Sequence, residues 1–218
     1  MSNSQTIRSR QTIKLKADEN DPLPVNTSAA FRKEVEELIE LAGKAPFHYT
    51  CDEFYQTENK LAGKEPWRFH ALDSSSCREL LGVLKTGTAV KSSEGIRQML
   101  AAADALILAT WLPERSSSQS RKFYPNVKNM EHIAATGAAI QNLLLAATER
   151  GITNYWSSGG IIRRAQVLEM LGIPAHEILL GAVFLFPDPD SVKADKIHGK
   201  NREFRSSKDK WMNWVKVE

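Results

Sequence analysis

Two cysteines, Cys51 and Cys77, are all that 218 residues supply. That is too few for a disulfide framework, and they lack the paired spacing of a thiolate metal site. Two buried or half-exposed thiols in a reducing cytoplasm is the expectation. Excess charge is scarce as well: 29 Lys and Arg against 26 Asp and Glu leave a net +3, too little to argue for a nucleic-acid partner. The histidines, at positions 48, 70, 132, 176 and 198, are scattered with no pair at helical ligand spacing, which speaks against a metal site. Also missing are the phosphate loop G-x-x-x-x-G-K-[ST], the dinucleotide fingerprint G-x-G-x-x-G, the nucleophile elbow G-x-S-x-G and the zinc helix H-E-x-x-H. No segment reaches roughly 20 strongly apolar residues, so no membrane partner is expected. The opening MSNSQTIRSR carries no apolar signal region.

What is present is centred on Glu131 to Gly160. Between Glu131 and Glu149 there is no Asp, Glu, Lys or Arg, and from Ile133 to Ala147 only Thr136, Gln141 and Asn142 are polar. This predicts a helix that is apolar all round and so buried on every side. Arg150-Gly151 supplies a basic last turn and a C-cap glycine. A β-type run, Ile152 to Trp156, then leads into Ser157-Ser158-Gly159-Gly160.

Around it the chain reads in order. Residues 1–16 hold Arg8, Arg10, Lys14 and Lys16 and no acid. On charge alone this is a solvated tail, the alternative being an anion-binding strap. Thr27 or Ser28 caps a helix through Leu41, with Phe31, Val35, Leu38, Ile39 and Ala42 on one face. Residues 47–65 form a long loop with room for a helical turn. Trp67–Leu72 alternates as a strand; Cys77–Leu84 and Glu94–Ala102 are helical, the first capped from Ser74–Ser76. Asp104–Trp111 is an apolar run, a strand covered on both faces. A Ser-rich surface loop follows at 113–120, then the central helix, a helix over Ile161–Leu171 and a strong strand over Glu177–Pro187. The basic tail from Val192 ends on Trp211, Met212, Trp214 and Val215. Three buried strands and about six helices in one 1–218 domain predict an α+β layer around one central helix rather than a doubly wound sheet. Trp67, Trp111 and Trp156 read as core, and His70 and His132 as structural residues rather than bases.

Both ends are basic at close spacing, Arg10 with Lys14 and Lys200 with Arg202. If the fold joins the ends, they form an anion clamp suited to a phosphate. The Ser-Ser-Gly-Gly turn lets a backbone approach a flat ligand closely, because glycine adds no Cβ. A phosphate at one end and a planar ring at the other suggest a mononucleotide-like cofactor.

Over nearly its whole length the chain resembles the FMN-dependent nitroreductase family. Ser9-Arg10-Gln11-Thr12-Ile13-Lys14 is similar to the opening R-x-S-x-[RK] strap, with Thr12 in the Ser position. Ala45-Pro46 and Pro66-Trp67-Arg68-Phe69 resemble the "AP…QPW.F" segment. Thr136 to Ala147 resembles the family's central helix, Gly151 to Gly160 the strand and turn after it, and Lys200-Asn201-Arg202 the C-terminal [KR]-x-R. Two features depart: Lys64-Glu65 replaces the family's Asn and Gln, and the loop between Pro46 and Pro66 is longer than usual.

The resemblance implies an α+β nitroreductase-like fold, its central mixed or antiparallel sheet flanked by helices, in an intertwined homodimer with FMN at the interface. Arg10, Gln11, Thr12, Lys14, Lys200 and Arg202 would hold the phosphate and ribityl chain. Trp156, Ser157, Ser158 and Gly159 would border the isoalloxazine, and Pro46, Phe47 and His48 would come from the partner subunit. It further implies a cytoplasmic oxidoreductase in which NADH or NADPH and then a small-molecule electron acceptor (a nitroaromatic, a quinone or a relative) visit one flavin face in a ping-pong hydride transfer. No side chain is then required as acid or base. The alternative is an FMN-binding carrier or regulatory protein without turnover.

Overall fold

The computed structural model describes residues 2–57, 61–86, 94–115 and 124–217. Among these residues the order is α1 (Asn3–Ser9), β1 (Ile13–Lys16), α2 (Ala29–Ala42), α3 (Phe54–Thr57), β2 (Trp67–Asp73), α4 (Ser74–Thr86), α5 (Glu94–Ala102), β3 (Ala105–Trp111), α6 (Val127–Glu149), β4 (Thr153–Ser157), α7 (Ala165–Met170), β5 (Ile178–Phe186) and β6 (Asp195–His198). β2, β3, β5 and β4 form one sheet in that order, every pair antiparallel. β1 and β6 form a separate antiparallel pair.

The period-2 geometry of strands divides the core. On β3 and β5, Leu106, Leu108, Ala182, Phe184 and Phe186 face Leu80, Leu81 and Leu84 of α4, Met99 and Leu100 of α5 and Val167 and Leu168 of α7. The alternate residues Ala105, Ile107, Ala109, Val183 and Leu185 face Val35 and Leu38 of α2 and Ile140, Leu143 and Leu144 of α6. β3 is buried at every position, as its unbroken apolar run predicts. A bulge between Ala109 and Thr110 shifts its register against β5.

The central helix begins at Val127, four residues before Glu131, because the Asn126 side chain caps it by accepting from the Asn129 amide at 2.8 Å. It ends, as read, at a positive-φ Gly151 (φ 73°). Its burial differs from the expectation. His132, Ala135, Thr136, Ala139, Ile140, Leu143, Leu144 and Ala147 are buried, while Ile133, Ala134, Gly137, Ala138, Gln141 and Leu145 form a stripe that is half-buried or exposed. An all-apolar sequence shows that a helix must be covered, not that its own chain does all the covering.

Other boundaries also moved. α4 starts at Ser74 rather than Cys77, with the Asp73 carboxylate accepting from the Ser76 amide at 2.9 Å in place of a serine cap. The predicted 161–171 helix is a 3-10 turn (Gly160–Arg163) and then α7, broken at Arg164, whose ψ of 137° is extended. The sheet has four strands and the strap region adds two more, against three expected. The Ser-rich break lies largely outside the described residues.

The end of the long loop is gathered around the Arg68 side chain. Arg68 is only 5% exposed. Its guanidinium donates to the carbonyls of Leu61, Gly63 and Glu65, each at 2.8 Å, and of Trp67 at 2.7 Å. Around it Tyr55 Oη donates to the Pro113 carbonyl at 2.8 Å, and Asp52 accepts from Lys128 Nζ at 2.6 Å. Burial pushes the Tyr55 hydroxyl up to about 12, so it stays a donor. Both cysteines are buried and free.

Candidate functional site

The N-terminal segment is no solvated tail. Ser2 and Gln5 form a capping box that starts α1, with the Ser2 amide donating to Gln5 Oε1 at 2.8 Å. β1 then pairs with β6 in the register Ile13 to His198 and Lys14 to Ile197. Past the last pair, the Gly199 amide donates to the Thr12 carbonyl at 2.8 Å. The two ends of the sequence are thereby joined, as an anion clamp requires.

They bound a cleft of about 660 Å³ beside β4. Arg10, Gln11 and Thr12 between α1 and β1 and Lys14 of β1 line it on one side, and Ile197 to Asn201 from β6 and the turn after it. Tyr155 and Trp156 of β4 close another side, and Glu203 and Arg205 lie at the edge. Four cations against one carboxylate make the cleft strongly positive. Lys14 Nζ lies 5.8 Å above the Tyr155 ring centre. The first residues of the tail thus belong to the site, whereas the apolar residues beyond stand in solvent: Phe204, Trp211, Trp214 and Val215 are all exposed.

Trp156 is not a core residue; it is 38% exposed and lines the cleft, while Trp67 and Trp111 are buried as expected. It pairs across the ladder with Val183, and its indole covers Gly181, two residues further on the same face. A Cβ at Gly181 would stand 2.7 Å from the indole Cδ1, so glycine is what lets the ring lie down there.

The turn after Trp156 is locally over-determined. Ser157 is buried, and its Oγ accepts from the Gly159 amide at 3.1 Å. The Ser158 carbonyl accepts from Arg163 Nε, and the same guanidinium reaches the Leu180 carbonyl at 2.9 Å. Gly159 has φ 100°, and a Cβ on it would meet Leu179 Cδ2 at 2.8 Å. Ser157, Ser158 and Gly159 follow Trp156 directly but do not line the cleft in the isolated chain. Neither do Pro46, Phe47 and His48. Phe47 packs edge-on against Trp67 at 5.4 Å, and His48 Nδ1 meets Glu131 Oε2 at 2.7 Å. Arg202 belongs to the 3-10 turn Lys200–Arg202, and its side chain lies outside the described residues.

Tyr155, Ile197, His198, Gly199, Asn201, Glu203 and Arg205 are cleft residues that the sequence reading missed. Their signal was weak: Tyr155 adjoins Trp156, and the others flank Lys200 within a basic stretch that carries no period. Of the two histidines read as structural, His132 Nδ1 meets the Leu112 carbonyl at 2.7 Å and His70 Nε2 meets Glu177 Oε2 at 2.7 Å. Among the described residues no group of His, Cys, Asp or Glu could hold a metal, and no helix is long and apolar enough to cross a membrane.

The solved structures this chain resembles share its fold at low identity. A nitroreductase-like family protein from Bacillus cereus superposes with a TM-score of 0.64 at 20% identity, over 100% of this chain and 97% of that one. A putative nitroreductase from Desulfovibrio desulfuricans, crystallised in complex with FMN, gives 0.57 at 21%, over 100% and 99%. The FMN- and NADPH-dependent nitroreductase NfnB from Sphigopyxis gives 0.59 at 13%, over 100% of both chains. The family model described as the nitroreductase family matches residues 7–185, from the strap through the central helix to β5. With most of its length matched in this way, the chain belongs to the nitroreductase family.

Proposed function

We propose that this protein is an FMN-dependent oxidoreductase that takes reducing equivalents from NADH or NADPH and passes them to a nitroaromatic, a quinone or a related small acceptor. The observation that carries this reading is the junction of β1 with β6, which sets Arg10, Thr12 and Lys14 beside Lys200 and next to the exposed indole of Trp156. A phosphomonoester bears about −1.5 to −2 charge at neutral pH and three acceptor oxygens. A cleft with four cations and a threonine hydroxyl matches that end of FMN. The Trp156 face, flat over Gly181, matches a planar ring at the other. Two solved relatives with this fold are described as binding or depending on FMN.

When bound, FMN supplies the hydride chemistry, and the protein's share is position and charge. In this reading Arg10, Gln11, Thr12, Lys14, Lys200 and Arg202 hold the phosphate and ribityl chain through charge-assisted hydrogen bonds. Arg163 and Ser157 hold the Ser158-Gly159 turn in one conformation. A backbone N–H near Ser158-Gly159 would then donate to the ring's reactive edge. No acid or base is required of a side chain.

A homodimer completes the site. It covers the exposed stripe of α6, brings Pro46, Phe47 and His48 from the partner to the cleft, and gives the apolar tail residues a surface. A cytoplasmic location fits two free thiols with no disulfide. The test is direct. The purified protein should be yellow, release FMN on denaturation and bleach anaerobically with NADH or NADPH. Colourless protein that takes up no added FMN would sink this reading; yellow protein that never bleaches would make it a flavin carrier.

A further inference from the structure

A second hollow lies away from the basic cleft, on the edge strand β2. It measures about 690 Å³, within the range of small-molecule sites. Ser76, Glu79, Leu80 and Val83 line one wall and recur at the spacing of one face of α4. The segment Met170–Pro174 after α7 forms the opposite wall, and Phe69 to Leu72 the floor. Val83, Met170 and Leu61 expose large apolar side chains around it.

Its polar groups are few. The floor holds His70 and Glu177, and the wall holds Ser76 and Glu79. Glu177 is buried, accepting from His70 Nε2 at 2.7 Å and from the Thr110 hydroxyl. Burial pushes its carboxyl up, but these donors outweigh that and hold it below the usual carboxylate range. Glu177 is therefore ionised at neutral pH, and Glu79 stands in water at the wall. Among the described residues no Lys or Arg lines the hollow. An apolar body is welcome there, an anionic head is repelled, and a cationic donor finds the Glu79 carboxylate as its acceptor.

We propose that this hollow is a second ligand site, selective for an apolar molecule carrying one protonated amine, with its hydrocarbon or aryl body between α4 and the Met170–Pro174 segment and its ammonium at Glu79. Among the described residues the site shares none with the basic cleft, and it does not depend on FMN.

The test is titration calorimetry on the full chain with 4-phenylbutylamine, and with 4-phenylbutyrate as its anionic counterpart of like size. The amine should bind at least about tenfold more tightly. Glu79→Gln should weaken the amine about fivefold, in the range of one partly exposed ion pair, and leave the carboxylate no weaker. Val83→Trp, at an exposed helix position, should fill the mouth and abolish amine binding while flavin content and melting temperature stay as in the parent. Equal affinity for the two probes, undiminished binding in Val83→Trp, or no amine binding at millimolar concentration would each overturn the proposal.

Discussion

The amide of Gly199 donates to the carbonyl of Thr12 over 2.8 Å, and the two residues sit at opposite ends of the chain. A Cβ at Gly199 would lie 2.9 Å from Thr12 Cβ, closer than side-chain atoms normally approach. The basic cleft depends on that contact.

Gly199→Val should therefore push the two strand ends apart. The flavin content of the purified protein should fall at least about tenfold, while the melting temperature drops by only a few degrees, since the four-stranded sheet is untouched. Flavin-to-protein absorbance and a thermal melt check both parts.

Arg10→Ala and Lys200→Ala each remove one cation from the cleft. A hydrogen bond to a charged group contributes about 1.5–3 kcal/mol, so each variant should bind FMN roughly 10- to 150-fold more weakly. Fluorescence titration of the apoprotein measures this. A double variant that keeps full affinity would remove the phosphate-clamp assignment.

Gly181→Ala should lift the Trp156 indole off the sheet. Forcing a methyl group into a filled space costs about 1–3 kcal/mol. The near-ultraviolet circular dichroism of the tryptophans should change with it. An unchanged spectrum with unchanged stability would mean that the indole does not rest there.

Arg68→Met keeps the aliphatic stem and strips the donors from the carbonyls of Leu61, Gly63, Glu65 and the buried Trp67. Leaving a buried acceptor unpaired and losing the other three bonds should cost roughly 2–3 kcal/mol by urea unfolding. Limited proteolysis should then cut within residues 51–66 first.

Glu177 contributes to acid stability through its hydrogen bonds from His70 and Thr110. Its folded-state pKa lies below the unfolded value of about 4.3, so its contribution is fully present above that value and is lost as pH falls through the depressed folded value. Glu177→Gln should cost about 2 kcal/mol at pH 7, and the gap to the parent should close as pH drops below about 4. A gap independent of pH would mean that the carboxylate is not the form stabilised.

Local rules made much of this protein legible. Ser28 before an amphipathic face predicts α2, and the structure begins that helix at Ala29 with the Ser28 side chain accepting from the Phe31 amide. The continuous apolar run predicts β3 as a strand covered twice, and Glu94–Ala102 is the helix its period predicts. The anion clamp was legible only as a conditional, because charge cannot say whether residues 10–14 and 200–202 meet. The same blindness hid Glu177 from His70, Gly181 from Trp156 and the Arg68 carbonyl hub, each a contact between residues on different elements or across a loop.

The amino-acid sequence by itself determined the main helices, the buried strands and the family, since caps, periodicity and the Thr136–Ala147 and strap motifs are local. Only the tertiary structure decided where the basic ends go, that Trp156 faces the cleft rather than the core, and that a carboxylate-lined hollow opens beside β2. The physical reason is the same in each case. Backbone pairing and side-chain burial bring together groups whose separation along the chain carries no signal, and the free energy of that meeting belongs to the packed molecule and to no segment of it.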